Sequence, residues 1–371
     1  MTGDGHPTGP HEHGHSVYEP GEFLGAPPEE AIPEREVSLA RRFLNVRTIG
    51  SIIFGLALVF LLSQQLQIDF EKTWAHITAA NPLFLLFALL AYYATFPLRG
   101  LRWRFVLGRV GTQIGKRDAT EILFLSWFVN CLVPAKLGDL YRAYLLKGNY
   151  GGSISRTVGT IFIERIADIV VIFALALAAG FWSFRGRSRP EIDALFLAGF
   201  AVAAILVLLV VALNYFGAHV ARILPARVAD LYERFHEGST GALTARSLPV
   251  IGSFTVAIWL FEGVRLFFVI RALELPDANL GISASLFVAL GGSLLTAIPL
   301  TPAGVGFVEA GIVGLLALYG VVNEPALAVA LTDRAISILS VIVLGGIFYA
   351  FSAKVRRAHT GRSGPEVAAT G

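Results

Sequence analysis

Long apolar runs are the feature that most restricts what this chain can fold into. A helix needs about 20 apolar residues to cross a bilayer core of about 30 Å. The sequence has nine apolar runs, at residues 50–66, 82–98, 122–133, 157–182, 194–214, 248–272, 283–298, 303–322 and 326–351. Only 15% of the 371 residues are charged, against roughly 25% in soluble domains. The sequence therefore predicts an all-α, polytopic integral membrane helical bundle.

One of these runs, residues 122–133, is too short to cross the bilayer. The stretch Ile122–Leu146 is broken at Pro134 and Gly138, so we interpret it as a re-entrant hairpin. The remaining runs predict about eight spans in a transmembrane domain over residues 49–352. The first run begins near Gly50, which predicts an uncleaved first span rather than a signal peptide.

The chain ends differ from the apolar part in composition. Residues 1–48 contain six prolines and few large apolar residues, so they cannot bury enough surface to offset the entropy lost on ordering. We predict a disordered cytoplasmic tail at 1–48 and a short cytoplasmic tail at 353–371. The single cysteine, Cys131, excludes an intramolecular disulfide and is interpreted as a packing residue.

The distribution of charge predicts the orientation. The net charge of +3 combines −4 on residues 1–48 with +7 on the rest, and the bases lie mainly between apolar runs. The positive-inside rule and anionic lipid explain such bases without nucleic acid. The sequence thus predicts a plasma-membrane protein with both termini cytoplasmic. One loop disagrees, because Arg185, Arg187 and Arg189 fall outside.

A weak self-match relates the two halves of the chain. Residues 132–138 (LVPAKLG) resemble residues 300–306 (LTPAGVG) at an offset of 168, and an acid-arginine pair follows each about thirty residues later, at 164–165 and 333–334. In the predicted orientation the two broken segments approach from opposite faces. Such corresponding interruptions point to the binding site of a transporter with inverted repeats. Chance similarity between apolar segments is the alternative.

Ionisable residues inside spans are costly and are therefore functional candidates. Glu164 and Asp168 are four residues apart, so they share a helix face and could hold an arginine between helices. Other pairs are Glu262 with Arg265, and Asp333 with Arg334. The alternative is that each pair only fixes helix packing.

The hairpin also carries polar residues. Lys136, Asp139 and Arg142 follow the break, and an arginine can bind a phosphate with two parallel hydrogen bonds. Glu309 follows the second break, in the first turn of the predicted helix, where an acid also stabilises a helix N-terminus. Ordinary positive-inside residues are the alternative interpretation of the hairpin bases.

Three ordered motifs add a resemblance to a known family. They read N-x-x-x-P-x-x-x-G-D-x-x-R from Asn130, E-R-x-x-D from Glu164, and P-x-T-P-x-G-x-G-x-x-E from Pro299. Together they resemble the lysylphosphatidylglycerol synthase transmembrane-region family, the flippase-like integral membrane proteins, over roughly residues 45–352. One departure is Ala303-Gly304, where a Gly-Gly pair is expected.

The resemblance implies a membrane region that moves aminoacylated phospholipid between leaflets while a separate soluble domain makes it. We expect no such domain here, because the chain ends about twenty residues after its last span. Two sets of candidate site residues follow. The headgroup-binding candidates are Arg142, Arg165, Arg334, Asp139, Glu164, Asp168, Glu309, Asp333 and Asn130. The candidate broken-helix positions are Pro134, Gly138, Pro302, Gly304 and Gly306.

The leading hypothesis is a lipid translocase that binds an anionic or aminoacylated phospholipid headgroup. One alternative is a membrane-embedded transferase or phosphatase acting on a lipid-linked phosphate, and another is a noncatalytic partner of a lipid-modifying enzyme. The sequence has no HExxH, GxSxG or Walker motif, so we predict a non-enzyme without cofactor or metal. The predicted partner is membrane phospholipid; the lipid, the energy coupling and the oligomeric state stay open.

Overall fold

A computed structural model describes residues 46–185, 225–244, 246–275, 280–296 and 301–360, with scattered positions between 194 and 208. Residues 1–45 of the tail predicted over 1–48, most of the predicted span 194–214, and residues 361–371 lie outside the described residues. Residues 46–48 of that tail belong to the first helix. The described segments are helices, turns and short connections, and they contain no β-strand. This confirms the predicted all-α class.

The helices are, in chain order, α1 (Val46–Gln65), α2 (Phe70–Thr78), α3 (Pro82–Arg109), α4 (Lys116–Leu132), α5 (Leu137–Tyr150), α6 (Ile154–Phe184), α7 (Ala226–Thr240), α8 (Leu248–Ala272), α9 (Ile282–Leu295), α10 (Phe307–Ala317), α11 (Asn323–Arg334), α12 (Ser340–Phe351) and α13 (Ala353–Thr360). A π-helical turn, Ala335–Leu339, joins α11 to α12 without interruption. A 3₁₀ turn, Pro302–Gly304, precedes α10.

Within the part of the chain that the structure describes, four helical segments are long and apolar enough to cross a membrane. They are Thr48–Gln65 in α1, α3, α8, and Asn323–Phe351 through α11 and α12. α6 has 31 residues and is therefore about 46 Å long at a rise of 1.5 Å per residue. α3 packs along α8, and α6 packs against α7, α8 and α9. The chain is a multi-pass membrane protein.

The first hairpin consists of α4 and α5, as predicted. Its two ends meet, because the Tyr150 hydroxyl donates to Asp118 and the Lys354 ammonium lies 2.6 Å from Asp118. α4 begins at Lys116 rather than at the apolar Ile122, yet its 17 residues reach only about 25 Å. We call this end of the molecule the Lys354 face.

A second hairpin, α9 and α10, was not predicted as such. The sequence assigns residues 283–298 and 303–322 to two spans, whereas the structure has helices of 14 and 11 residues there. They reach about 21 and 17 Å, too short to cross a core of about 30 Å. The predicted number of about eight spans therefore falls by two. It stays even, so the prediction that both termini lie on the same side is unchanged.

The second hairpin enters from the opposite end to the first. α6 begins four residues after Tyr150 and ends at Phe184, whose ring stacks on Tyr319 at 4.8 Å and lies 5.6 Å from Phe287. These two residues lie near the ends of the second hairpin. We call this end the Tyr319 face. Two hairpins that enter from opposite faces are the arrangement that an inverted repeat requires.

The tip of the second hairpin rests against the middle of α1. Gly306 has φ +91°, and a Cβ there would lie 2.6 Å from the carbonyl oxygen of Gly55. A Cβ on Gly55 would lie 2.5 Å from the carbonyl oxygen of Val305. Two glycines therefore allow backbone to approach backbone, which places this tip at mid-depth.

Candidate functional site

A cavity of about 150 Å³ lies where the tips of the two hairpins meet. The first tip contributes Val133, Ala135 and Lys136, and the second contributes Thr301 and Ala303. The charged side chains that line it are Arg99, Lys136, Arg165, Arg265 and Arg334, with the carboxylate of Glu262. Five cations against one carboxylate make this wall suited to an anion.

The acid pair on α6 does hold an arginine between helices, and that arginine is Arg102 of α3. Its Nη1 donates to Asp168 Oδ1 at 2.6 Å, its Nη2 to Oδ2 at 3.2 Å, and its Nε to Glu164 Oε1 at 3.1 Å. The other oxygen of Glu164 accepts from Arg142 at 2.8 Å, and the Arg142 guanidinium lies 4.7 Å from the Trp103 ring. All these charged groups are buried. This cluster lies behind the cavity and joins α3, α5 and α6.

Arg165, next to Glu164 on α6, faces the cavity. Its Nε and Nη2 donate to Asp139 at 2.9 and 2.7 Å. Asp139 is in the first turn of α5, and Asn130 bridges the break by accepting from the backbone N–H of Gly138 at 2.8 Å. A quarter of the Arg165 side chain stays exposed, so the ion pair does not fully enclose it.

A second charge chain connects α3, α8 and α11. Glu262 accepts from Arg99 at 2.9 Å and lies 2.8 Å from Arg265. Arg265 in turn lies 2.9 Å from Asp333 and donates a second contact at 3.1 Å. The predicted Glu262–Arg265 pair is present, and it is extended at both ends by residues of other helices.

Arg334 ties α11 to the second break. Its Nε donates to Glu309 at 3.1 Å, and its Nη2 donates to the carbonyl oxygen of Ala303. The second oxygen of Glu309 accepts from the backbone N–H of Gly306 at 2.6 Å. One carboxylate thus caps α10, as expected of an acid at a helix N-terminus, and it also holds the arginine.

Aromatic rings orient the cavity guanidinium groups. The Arg99 guanidinium lies 4.6 Å from the Trp127 ring and 5.2 Å from that of Trp259. Arg165 lies 5.1 Å from the Trp127 ring. Such stacking covers the faces of a guanidinium and directs its N–H groups, which lie at the edge, to hydrogen-bond acceptors.

Some of the predicted site residues line the cavity, and the others do not. Arg165, Arg334, Asn130 and Gly304 line the cavity. The others do not line it and act on its walls instead: Arg142, Asp139, Glu164, Asp168, Glu309, Asp333, Pro134, Gly138, Pro302 and Gly306. A headgroup role for that second group stays a prediction that no contact to the cavity supports.

The predicted Asp333–Arg334 pair differs from the observed one. Asp333 pairs with Arg265 and Arg334 with Glu309, because adjacent residues on a helix point about 100° apart. Arg99 and Arg102 were not predicted as site residues, because they lie beyond the apolar run 82–98. α3 in fact continues to Arg109, and the buried Val106 and Leu107 mark that continuation.

Metal binding has no evident place in the described segments. They hold no group of three or more His, Cys, Asp or Glu side chains arranged for a metal ion. The buried carboxylates face guanidinium groups instead.

The chain is similar in sequence to two archaeal UPF0104 membrane proteins. The UPF0104 membrane protein MJ1078 of Methanocaldococcus jannaschii is 36% identical over 222 residues, which cover 60% of this chain and 93% of that protein. The UPF0104 membrane protein PH1989 of Pyrococcus horikoshii is 22% identical over 80% of this chain and 94% of its own length.

A longer relative is the glycosyltransferase AglD of Haloferax volcanii. It is 28% identical over 334 residues, which cover 80% of this chain but 53% of that protein. The profile of the family described as "Lysylphosphatidylglycerol synthase TM region" matches residues 48–345. The chain therefore belongs to the lysylphosphatidylglycerol synthase transmembrane-region family.

Proposed function

We propose that this protein binds the anionic headgroup of a phospholipid in the cavity between the hairpin tips and moves the lipid between leaflets. The observation that carries the proposal is the wall of five cations at the meeting point of two hairpins that enter from opposite faces. A headgroup bound in this cavity would contact the first hairpin on one side and the second hairpin on the other.

The charges support a phosphate ligand. Arg165 is attached to the first hairpin through Asp139, and Arg334 to the second through Glu309 and Ala303. Both side chains line the cavity, and 25% and 12% of them stay exposed. Guanidinium groups bind phosphate oxygens in pairs, so one phosphate can pass from one hairpin to the other without leaving cationic surroundings.

The hairpin geometry supports movement. Ala135 and Lys136 in the first tip and Ala303 in the second have positive φ of 62°, 53° and 50°. Such conformations cost free energy outside glycine and cluster at switch and ligand-binding segments. Breaks of this kind are tolerated at membrane depth where they line a cavity.

A membrane-embedded glycosyl or phosphoryl transferase is the second candidate, because AglD is named a glycosyltransferase. The match covers about half of AglD, and the cavity places one carboxylate, Glu262, between two arginines. That arrangement holds the carboxylate as a charge partner and leaves it little capacity as a general base.

The test is lipid movement in reconstituted vesicles. Vesicles with headgroup-labelled phosphatidylglycerol in both leaflets are treated with an impermeant quencher, and wild-type protein should make the inner pool accessible. Arg334→Gln and the charge-neutral double variant Arg165→Gln with Asp139→Asn should slow this at least about tenfold if each removes one charge-assisted contact. Arg234→Gln, in an exposed ion pair on α7, is the matched control.

Two results separate the alternatives. If the variants fold and move lipid at the wild-type rate, the cavity has no role in the mechanism. Wild-type protein that leaves the inner pool protected, yet transfers a sugar or phosphate to or from a polyprenyl lipid, would favour the transferase.

A further inference from the structure

Lys136 stands apart from the other charged residues around the cavity. Each lining arginine has a carboxylate within 3.1 Å, whereas the Lys136 ammonium has no ion pair or hydrogen bond within the described residues. The residue lies at the tip of the first hairpin, with φ 53° and ψ 35°, directly before α5. Lys136 lines the cavity.

The buried charges near the cavity almost balance. The cations in the described helices around it are Arg99, Arg102, Lys136, Arg142, Arg165, Arg265 and Arg334. The carboxylates paired with them are Asp139, Glu164, Asp168, Glu262, Asp333 and Glu309. Each carboxylate lies 3.1 Å or less from a guanidinium nitrogen. Seven positive charges face six negative ones, and the unmatched charge is that of Lys136.

An unpaired charge at membrane depth is unfavourable unless a partner compensates it. We infer that the ligand provides this partner and that its polar group carries one net negative charge, as a phosphodiester does. The inference rests on the proposed function and narrows its substrate class. A zwitterionic headgroup leaves the cavity charged. An aminoacylated headgroup of net positive charge adds to the excess, and a phosphomonoester with two charges reverses it.

The hydrogen-bond donors at the site suit a phosphodiester. A phosphodiester has two non-bridging oxygens, so it can accept from Lys136 and from one arginine fork at once. Arg165 is the fork on the same side of the cavity, because its ion pair with Asp139 joins it to the first hairpin.

The experiment measures binding, separately from transport. Purified full-length protein in neutral detergent is mixed with pairs of lipids, and native mass spectrometry counts which is retained. The probes are phosphatidylglycerol, phosphatidylcholine, phosphatidic acid and lysylphosphatidylglycerol. We expect phosphatidylglycerol to be preferred over each other lipid by at least about tenfold, the size of one charge-assisted hydrogen bond.

Variants assign the preference to one side chain. Lys136→Gln should reduce the preference for phosphatidylglycerol over phosphatidylcholine to about threefold or less, and Lys136→Arg should restore it. Lys116→Gln removes one positive charge from the exposed start of α4 in the same hairpin and should retain the wild-type preference. Glycerophosphoglycerol and inorganic phosphate distinguish a lipid from a free anion: competition by either at concentrations equal to the lipid would assign the site to a soluble anion.

Equal retention of zwitterionic lipid, tighter binding of phosphatidic acid or lysylphosphatidylglycerol, or an unchanged preference in Lys136→Gln would each overturn the inference. The proposed function fails separately. Charge-selective binding without lipid movement would contradict translocation alone, and lipid movement without charge selectivity would contradict this inference alone.

Discussion

The Arg102 guanidinium and the Asp168 carboxylate form a two-point ion pair between α3 and α6, with contacts of 2.6 and 3.2 Å. Asp168 also accepts from the indole N–H of Trp259 at 3.1 Å, and Arg102 donates to Thr255 at 2.8 Å. Three helices therefore meet at one buried pair. The pair therefore holds together the three helices that carry the cavity residues Arg99, Arg165 and Arg265.

Arg102→Gln should destabilise the protein strongly, because it strands buried carboxylates on α6. Breaking one side of a buried pair costs about 3–5 kcal/mol, so the melting temperature in detergent should fall clearly. The double variant Arg102→Gln with Asp168→Asn removes both charges and should recover part of the loss. A single variant that melts like wild type would show that the pair does not hold these helices.

Gly55→Ala and Gly306→Ala should both destabilise the contact between α1 and the second hairpin. Each Cβ would lie within 2.6 Å of a carbonyl oxygen, and Gly306 also has φ +91°, a conformation that costs about 1–3 kcal/mol for other residues. Gly50→Ala, on the same helix, meets no atom within 4 Å and should melt at the wild-type temperature or above. Equal melting of all three variants would contradict the contact.

The two hairpins should be accessible from opposite sides of the membrane. In a Cys131→Ser background, Lys116→Cys lies at the Lys354 face and Val322→Cys, next to the second hairpin, at the Tyr319 face, both at exposed positions. A membrane-impermeant maleimide should label one only in intact cells and the other only in inverted vesicles. Labelling of both from one side would contradict inverted hairpins.

Orientation itself is tested by reporter fusions. The positive-inside rule predicts that the Lys354 face is cytoplasmic. Fusions at residues 48 and 357 should report the same, cytoplasmic location. Opposite locations would contradict an even number of spans.

The contact between α13 and the first hairpin should depend on pH. Burial raises the pKa of the Asp118 carboxyl, but hydrogen bonds from Lys354 and Tyr150 outweigh it and hold the pKa below its ordinary value. A carboxyl with a lowered pKa stabilises the fold above its unfolded pKa of about 3.9 and loses that effect as the pH falls further.

The expected gain is less than about 1 kcal/mol for such a partly exposed pair. Melting curves from pH 3 to 7 should show a small loss of stability below about pH 4 that is reduced in Asp118→Asn. Identical pH profiles for the variant and the wild type would show that Asp118 is not the group that titrates.

The amino-acid sequence by itself determined the membrane class, the first hairpin and the residues of the α6 cluster. Apolar length indicates which segments can cross, and Pro134 and Gly138 interrupt one that cannot. Spacing of four residues puts Glu164 and Asp168 on one helix face, which was enough to predict an arginine between them. Local geometry is encoded in neighbouring residues, so it can be derived before the fold is known.

Only the tertiary structure decided which groups meet. Arg102 lies 66 residues from Asp168, and Arg265 lies 68 residues from Asp333, so helix packing rather than spacing selects these partners. Residues 283–298 and 303–322 are as apolar as true spans, yet they fold into the second hairpin, whose tip packs against Gly55 of α1. The cavity likewise depends on how the helices pack. Its cations come from four helices and one hairpin tip, and no periodicity along the chain specifies that they converge.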